Sequence, residues 1–175
     1  TTAQNAAEFL NQISQLNIPL VGLDASLVMC YRDEYHSILN KQRGNFSVLL
    51  AHEWLATQTV SSQRKKSDQT LTLLSHCTET TALPQATHVW KTIFSQLGYQ
   101  LNTPATGCCG MAGTYGHEIQ NQENSKKLYQ MSWQPIIADK KIETILATGF
   151  SCRSQIKRFE KQKAKHPIEF LAEVL

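Results

Sequence analysis

The sequence lacks the features that would send a chain into or across a membrane. It begins Thr1-Thr2-Ala3, with no initiating Met, no basic leader and no apolar signal core. The expectation is a cytoplasmic piece cut from a longer protein, not a secreted precursor. No window approaches the roughly 18 to 20 uninterrupted apolar residues of a bilayer crossing, so membrane association is expected to be peripheral, at the inner face. Charge of one sign is missing too: the net charge is +3, which argues against a nucleic-acid partner. The one basic cluster, Arg153, Lys157, Arg158, Lys161, Lys163 and Lys165, is expected to form the solvated face of a helix.

Cysteine is scarce and odd in number, with five residues at Cys30, Cys77, Cys108, Cys109 and Cys152. Without a secretory signal this excludes a disulfide framework. Neighbouring cysteines also close a strained ring, so Cys108 and Cys109 are expected to be reduced. No Gly-x-Gly-x-x-Gly follows a strand. Gly107, Gly110, Gly113 and Gly116 are spaced by threes and interrupted by cysteines, so a nucleotide loop is not expected and flavin is not bound by this piece alone.

What is present is 41% hydrophobic residues in 175, enough for one respectable core. Ala6, Phe9, Leu10, Ile13 and Leu16 recur at helical spacing, and Ile18 to Leu23 reads as a strand. Asp24-Ala25-Ser26 supplies capping residues, a helix is predicted over Leu27 to Leu39 with Cys30 in its first turn, and Phe46 to Ala56 reads as a second helix. Thr57 to Gln69 is polar and reads as a connector. Thr70 to Ser75 has the character of a buried strand running into His76-Cys77.

Pro84 opens a helix stopped by Gly98, with Val89, Trp90, Ile93, Phe94 and Leu97 on its apolar face, and Tyr99 to Leu101 reads as an edge strand. The glycine-rich loop 107–116 precedes a polar helix predicted over His117 to Met131. Ile142 to Thr148 is a third strand, Gly149 to Cys152 turns off its end, and helices are predicted from Arg153 and from Pro167. Strands alternating with helices predict an α/β fold with a mainly parallel sheet flanked by helices. Ligands bind at the carboxyl ends of such strands, where Cys30, Cys77 and Cys152 fall. Trp54, Trp90 and Trp133 read as core.

A weak internal repeat lays Val21 to Cys30 over Leu146 to Gln155 with Ser26 matched to Ser151. It also lays the tail Leu50 to Leu55 against Pro167 to Leu171. The reading is two related half-repeats, the first truncated, with Leu27 standing where the second has Cys152 and Cys30 where it has Gln155.

Thiolates that converge from rigid strand-end loops suit an iron–sulfur cluster. Helix N-termini beside Cys30 and Cys152 would depress the thiols, and the glycines around the doublet expose N–H groups toward sulfur. His76, His117 and His52 are candidates for metal ligands or a proton relay. Glu118, Arg153 and Glu53 are explained by local ion pairs and helix-end charges. Two other readings stand beside the cluster. One is a zinc-binding structural or regulatory module using the cysteines and His76. The other is a thiol-based enzyme or sensor in which Cys108 or Cys109 is activated by His117.

Thirty residues separate Cys77 from Cys108, and forty-two separate Cys109 from Cys152. With Cys108-Cys109-Gly110 between them, this order resembles the cysteine-rich CCG domain of heterodisulfide reductase subunits, anaerobic glycerol-3-phosphate dehydrogenase, glycolate oxidase and lactate-utilisation proteins. The runs Leu27 to Tyr35, Cys108 to Glu118 and Ser151-Cys152-Arg153-Ser154-Gln155 look most like the C-terminal region of FAD-linked, iron–sulfur D-2-hydroxy-acid dehydrogenases of the D-lactate and D-2-hydroxyglutarate type. The resemblance implies two CCG-type repeats, residues 1–56 being the tail of the first and 70–175 the second, joined by 57–69. It implies cluster binding by Cys77, Cys108, Cys109 and Cys152, with Cys30 at the matching position of the degenerate copy and His76 and His117 as outer candidates. An N-terminal flavin domain would carry FAD and the hydride chemistry, and this region would pass electrons toward a quinone or another acceptor. Gln155 departs from the full motif, which ends in a cysteine there, and favours a single 4Fe-4S cluster.

Overall fold

The computed structural model describes residues 1–58 and 69–175, so most of the expected connector lies outside the described residues. The chain divides into two compact units, Thr1–Gln58 and Thr59–Leu175.

In the first unit, α1 (Thr2–Gln15) is closed by a capping box between Thr1 and Gln4. β1 (Leu20–Gly22) runs into α2 (Ala25–Arg32), capped by Asp24, whose Oδ1 accepts from Ser26 N at 3.0 Å. α3 (Glu34–Leu39), a 3₁₀ turn over Asn40–Arg43, β2 (Val48–Leu50) and α4 (Ala51–Ala56) follow. β1 and β2 pair in parallel, Leu20 opposite Val48 and Gly22 opposite Leu50.

Three expectations are corrected here. The helix predicted from Leu27 starts at Ala25 and breaks at Asp33, so Cys30 lies in the last turn of α2 and not in its first. The segment from Phe46 is not helical throughout: Phe46, Val48 and Leu50 are buried with Ser47 exposed between them, the alternation of a strand. Pairing with β1 satisfies its backbone, and helix begins only at Ala51.

The second unit is an α/β layer. Its parallel sheet has the order β4-β3-β5, formed by β3 (Thr70–Leu74), β4 (Gln100–Asn102) and β5 (Thr144–Ala147). Leu71 to Leu74 stand opposite Thr144 to Ala147, and Thr70 opposite Gln100. β3 is central and buried on both faces, which is why Leu71 to Leu74 read as a continuous apolar run broken only by Thr72.

α5 (Cys77–Ala82) and α6 (Ala86–Gln96) lead from β3 to β4, and α7 (Gln122–Ser132) and α8 (Gln134–Ile137) precede β5. α9 (Phe150–Phe159) and α10 (Pro167–Val174) complete the unit. One apolar cluster gathers Leu74, Met111, Tyr129, Trp133, Ile145 and Ile156 around Cys109 and Cys152. Elsewhere, Phe94 meets Trp90, Tyr99 and Phe170 at ring-centroid distances of 6.2, 6.5 and 5.9 Å.

The helix predicted from His117 starts five residues later. Glu118 is extended between 3₁₀ turns over Tyr115–His117 and Ile119–Asn121, and its carboxylate accepts from Gln120 Nε2 and Asn121 Nδ2 at 3.2 and 2.7 Å. Such local side-chain bonds compete with helix. α9 starts at Phe150, three residues early, which brings Cys152 into its first turn. Trp90 and Trp133 are core, whereas Trp54 is only half-buried.

Phe94→Ala removes a buried ring and is expected to cost about 3–5 kcal/mol. Urea unfolding of the second unit, followed by tryptophan fluorescence, measures the loss.

Candidate functional site

The parallel pairing of β3 with β5 sets two turns side by side. β3 ends into His76-Cys77, and β5 ends into Thr148-Gly149, with Cys152 three residues on. A short polar network ties the two ends together. Thr148 Oγ1 accepts from His76 N at 2.9 Å and donates to the buried Glu79, which also accepts from Trp90 Nε1 at 3.2 Å. His76 caps α5, its Nδ1 accepting from Thr78 N at 3.2 Å, while its Nε2 faces Ser151 Oγ at 3.5 Å. The structure thus uses this imidazole as a helix cap. Gly149 admits no side chain: a Cβ there would stand 2.3 Å from His76 Cδ2 and 2.8 Å from Cys152 Sγ.

The cysteine doublet arrives on the loop after β4. Gly110, at φ +86°, makes the turn, and a Cβ on it would meet the Ser125 carbonyl oxygen at 2.2 Å. Two helices clamp the loop. From α7 and its end, Ser132 Oγ donates to the Cys108 carbonyl at 3.2 Å and Trp133 Nε1 to the Gly107 carbonyl at 2.9 Å. From α9, Gln155 Nε2 donates to the Cys109 carbonyl at 3.0 Å and to Ser125 Oγ at 2.8 Å, while Arg158 holds the Gly116 carbonyl at 2.5 Å.

These elements bring four of the five cysteines together. Cys77 is exposed, Cys108 half-buried, and Cys109 and Cys152 buried, so the thiols grade from surface to core. Cys108 is hydrogen-bonded to Cys77, and burial pushes its thiol up against the opposing Gly110 N–H, 3.3 Å from Sγ. Cys109 is pulled down to about 7 by the hydrogen bond from Cys152, helped by the Met111 N–H and opposed by burial. Cys152 goes the other way, well up, as the donor of that bond in a buried place beside the Cys109 charge. Among the buried sulfurs, Cys109 is thus the one whose ionisation the N–H and S–H donors favour. Among the described residues no three His, Cys, Asp or Glu side chains are arranged around a single ion.

Other candidates fall elsewhere. Cys30 belongs to the first unit, half-buried, its thiol pushed up by burial and by Glu34. This agrees with its place away from a helix N-terminus. His117 is exposed on a 3₁₀ turn and is not brought onto the thiols. His52 is buried in the first unit, and burial lowers its pKa. Glu53 binds Arg32 at 2.5 Å and caps α4 through Leu50 N at 2.7 Å. Arg153 donates to the Ala147 and Thr148 carbonyls at 2.9 and 3.0 Å. Sequence reasoning did not foresee Ser125, Ser132 and Gln155 as clamps of the doublet. The available signal was a polar residue on the inward face of an amphipathic helix, as with Ser125 and Gln155.

Comparison with known proteins then narrows the class. The chain is 50% identical over 183 residues to the D-2-hydroxyglutarate dehydrogenase of Haemophilus influenzae, covering 99% of this chain and 18% of that protein. The Escherichia coli protein of the same name is 47% identical over 175 residues, 99% of this chain and 17% of that protein. One component of the anaerobic glycerol-3-phosphate dehydrogenase of Escherichia coli is 24% identical over 98% of this chain and 44% of its own length. The chain therefore spans less than a fifth of the D-2-hydroxyglutarate dehydrogenases it matches. No family model and no solved structure matches it. No helix among the described residues is long and apolar enough to cross a membrane.

In the metal-free protein, thiolate absorbance is expected to titrate with its lowest midpoint near 7, from Cys109. Cys152→Ala removes the donor and leaves burial to dominate, so that midpoint is expected to rise. An unchanged midpoint in the variant would show that the thiol pair is not coupled.

Proposed function

We propose that this chain is the iron–sulfur electron-transfer region of a flavin-dependent D-2-hydroxy-acid dehydrogenase. On this reading it receives electrons from FAD bound in an N-terminal domain of the same polypeptide and passes them toward a quinone or another acceptor. The observation that carries the proposal is the convergence of Cys77, Cys108, Cys109 and Cys152 in one unit, two of them buried. The dehydrogenase names of its relatives support the reaction class.

The donor set fits a cluster better than a single ion. Four soft sulfurs in one unit suit iron–sulfur ligation. The thiols stand as hydrogen-bonded couples and do not surround one point, and a multi-iron group spreads its ligands over several metal atoms. When bound, a 4Fe-4S cluster supplies one-electron storage and release. The chain's own residues do the rest. Cys109 and Cys152 keep water from the inner side, and the Gly110 and Met111 N–H groups point at sulfur, where they bias the potential. The exposed Cys77 marks the side from which electrons reach the surface. Cys30, in the other unit, stands outside this set. In the same reading residues 1–56 are the tail of a first CCG-type repeat and 70–175 the second.

Anaerobic reconstitution tests the proposal. Cys77→Ser, Cys108→Ser, Cys109→Ser and Cys152→Ser are each expected to lose most of the bound iron, and Cys30→Ser to keep it. Zinc retained through reconstitution would favour a structural ion instead. Loss of function confined to one cysteine, with no metal bound, would favour thiol chemistry.

A further inference from the structure

The basic residues of α9 are arranged on the face that the cysteine site does not use. Cys152, Gln155 and Ile156 are buried, whereas Phe150, Arg153, Ser154 and Lys157 fall at positions i, i+3, i+4 and i+7, one stripe of the helix. That stripe lines a cleft of about 330 Å³, which Lys163, ahead of α10, and Glu169, on α10, complete. Both sides of the cleft are fixed to β5. Arg153 Nη1 donates to the Ala147 and Thr148 carbonyls at 2.9 and 3.0 Å. Lys165 runs beside the strand, its N–H donating to the Ile145 carbonyl at 3.2 Å and its carbonyl accepting from Ala147 N at 2.9 Å. The cleft is therefore preformed. Its Arg153 end lies at the carboxyl edge of the sheet, where ligands bind in open parallel sheets.

Charge in the cleft is one-sided. Three cations and one carboxylate line it, and the carboxylate is already in use: Glu169 Oε2 accepts from His166 N at 2.6 Å and closes the capping box of α10. Other members of the basic cluster are satisfied within the fold, Lys165 by Glu173 and Arg158 by the Gly116 carbonyl. Among the described residues Lys157 and Lys163 form no ion pair. Like charges one helical turn apart, as Arg153 and Lys157 are, disfavour each other, and an anion between them reverses that effect.

We propose that this cleft binds a small dicarboxylate. One carboxylate is taken by Arg153 and the Ser154 hydroxyl, and the other lies between Lys157 and Lys163. Arg153 and Lys157 are four residues apart, about 6 Å along the helix axis. The cations are thus spread along the cleft and do not converge on one point, which suits two separated carboxylates better than a single phosphate. Phe150, 68% exposed and 6.0 Å from the Arg153 guanidinium, offers an apolar surface to the carbon chain between them. The volume is at the small end of ligand clefts, which run from roughly 300 to 1,000 Å³, so it fits a small acid and not a dinucleotide. This inference stands apart from the iron–sulfur reading, since no cysteine lines the cleft.

Lysine footprinting of the full-length natural protein tests it, with succinate as the probe, constant ionic strength, and acetylation read by mass spectrometry at each lysine. Acetylation of Lys157 and Lys163 is expected to slow about tenfold at about ten times the Kd of succinate. Lys161, exposed outside the cleft, is expected to react as before. Acetate and inorganic phosphate are expected to protect far less. Lys163→Gln is expected to abolish protection of Lys157, and Lys163→Arg to keep it. Equal slowing at Lys157, Lys161 and Lys163 would reveal general screening and overturn the proposal. So would phosphate protecting as well as succinate, protection of Lys157 that survives Lys163→Gln, or lysines that react equally with and without succinate. Lys157 and Lys163 unreactive before any succinate is added would show a cleft closed to ligands, which also overturns it.

Discussion

The parallel pairing of β3 with β5 is the constraint on which the rest of the second unit depends. Leu74 opposite Ala147 brings two chain reversals to one sheet edge, and every thiol contact described above starts from that juxtaposition. A slip of one residue would exchange the side chains of β3 between its two buried faces and separate Cys77 from Cys152. The Glu79–Thr148 bond and the His76 N–H to Thr148 guard against it by tying the two strand ends together. On that frame the doublet loop is an added piece, held where Gly110 permits the turn and where Ser132, Trp133, Gln155 and Arg158 take its carbonyls.

The electrostatics of the site follow from burial. Charging a sulfur in an apolar cluster with Met111, Tyr129 and Trp133 is costly unless donors surround it. Cys109 has four donors, the Cys152 thiol, the Met111 N–H, its own backbone N–H and the Cys108 thiol, and it is the sulfur pulled down. The neighbouring Tyr129 hydroxyl is pushed far up by burial and by Glu160, so it stays protonated. A buried anion stabilised by fixed N–H and S–H donors is suited to hold a soft metal group, and this supports the iron–sulfur proposal on grounds independent of the relatives' names.

Much of this was legible in the residues. β3 and β5 announced themselves by apolar runs ending in His76-Cys77 and Gly149, and the strand-end rule then placed Cys77 and Cys152 together. What escaped had two causes. β2 is three residues long inside a stretch that also fits a helical pattern, so only the alternation of Phe46, Val48 and Leu50 distinguishes it. Cys30 was misplaced because the helix starts two residues before Leu27 and breaks at Asp33, which puts it in a last turn and not a first. The Gln155 and Ser125 clamps join residues 30 to 46 positions apart, and no local pattern encodes such contacts.

The central claim is that four thiols of one unit hold an iron–sulfur group, and the most direct measurement is Mössbauer spectroscopy of anaerobically purified protein with parallel iron and acid-labile sulfide analysis. The account predicts about four iron and four sulfide per chain, with the iron in tetrahedral sulfur coordination. Zinc in place of iron, or iron without sulfide, would contradict it.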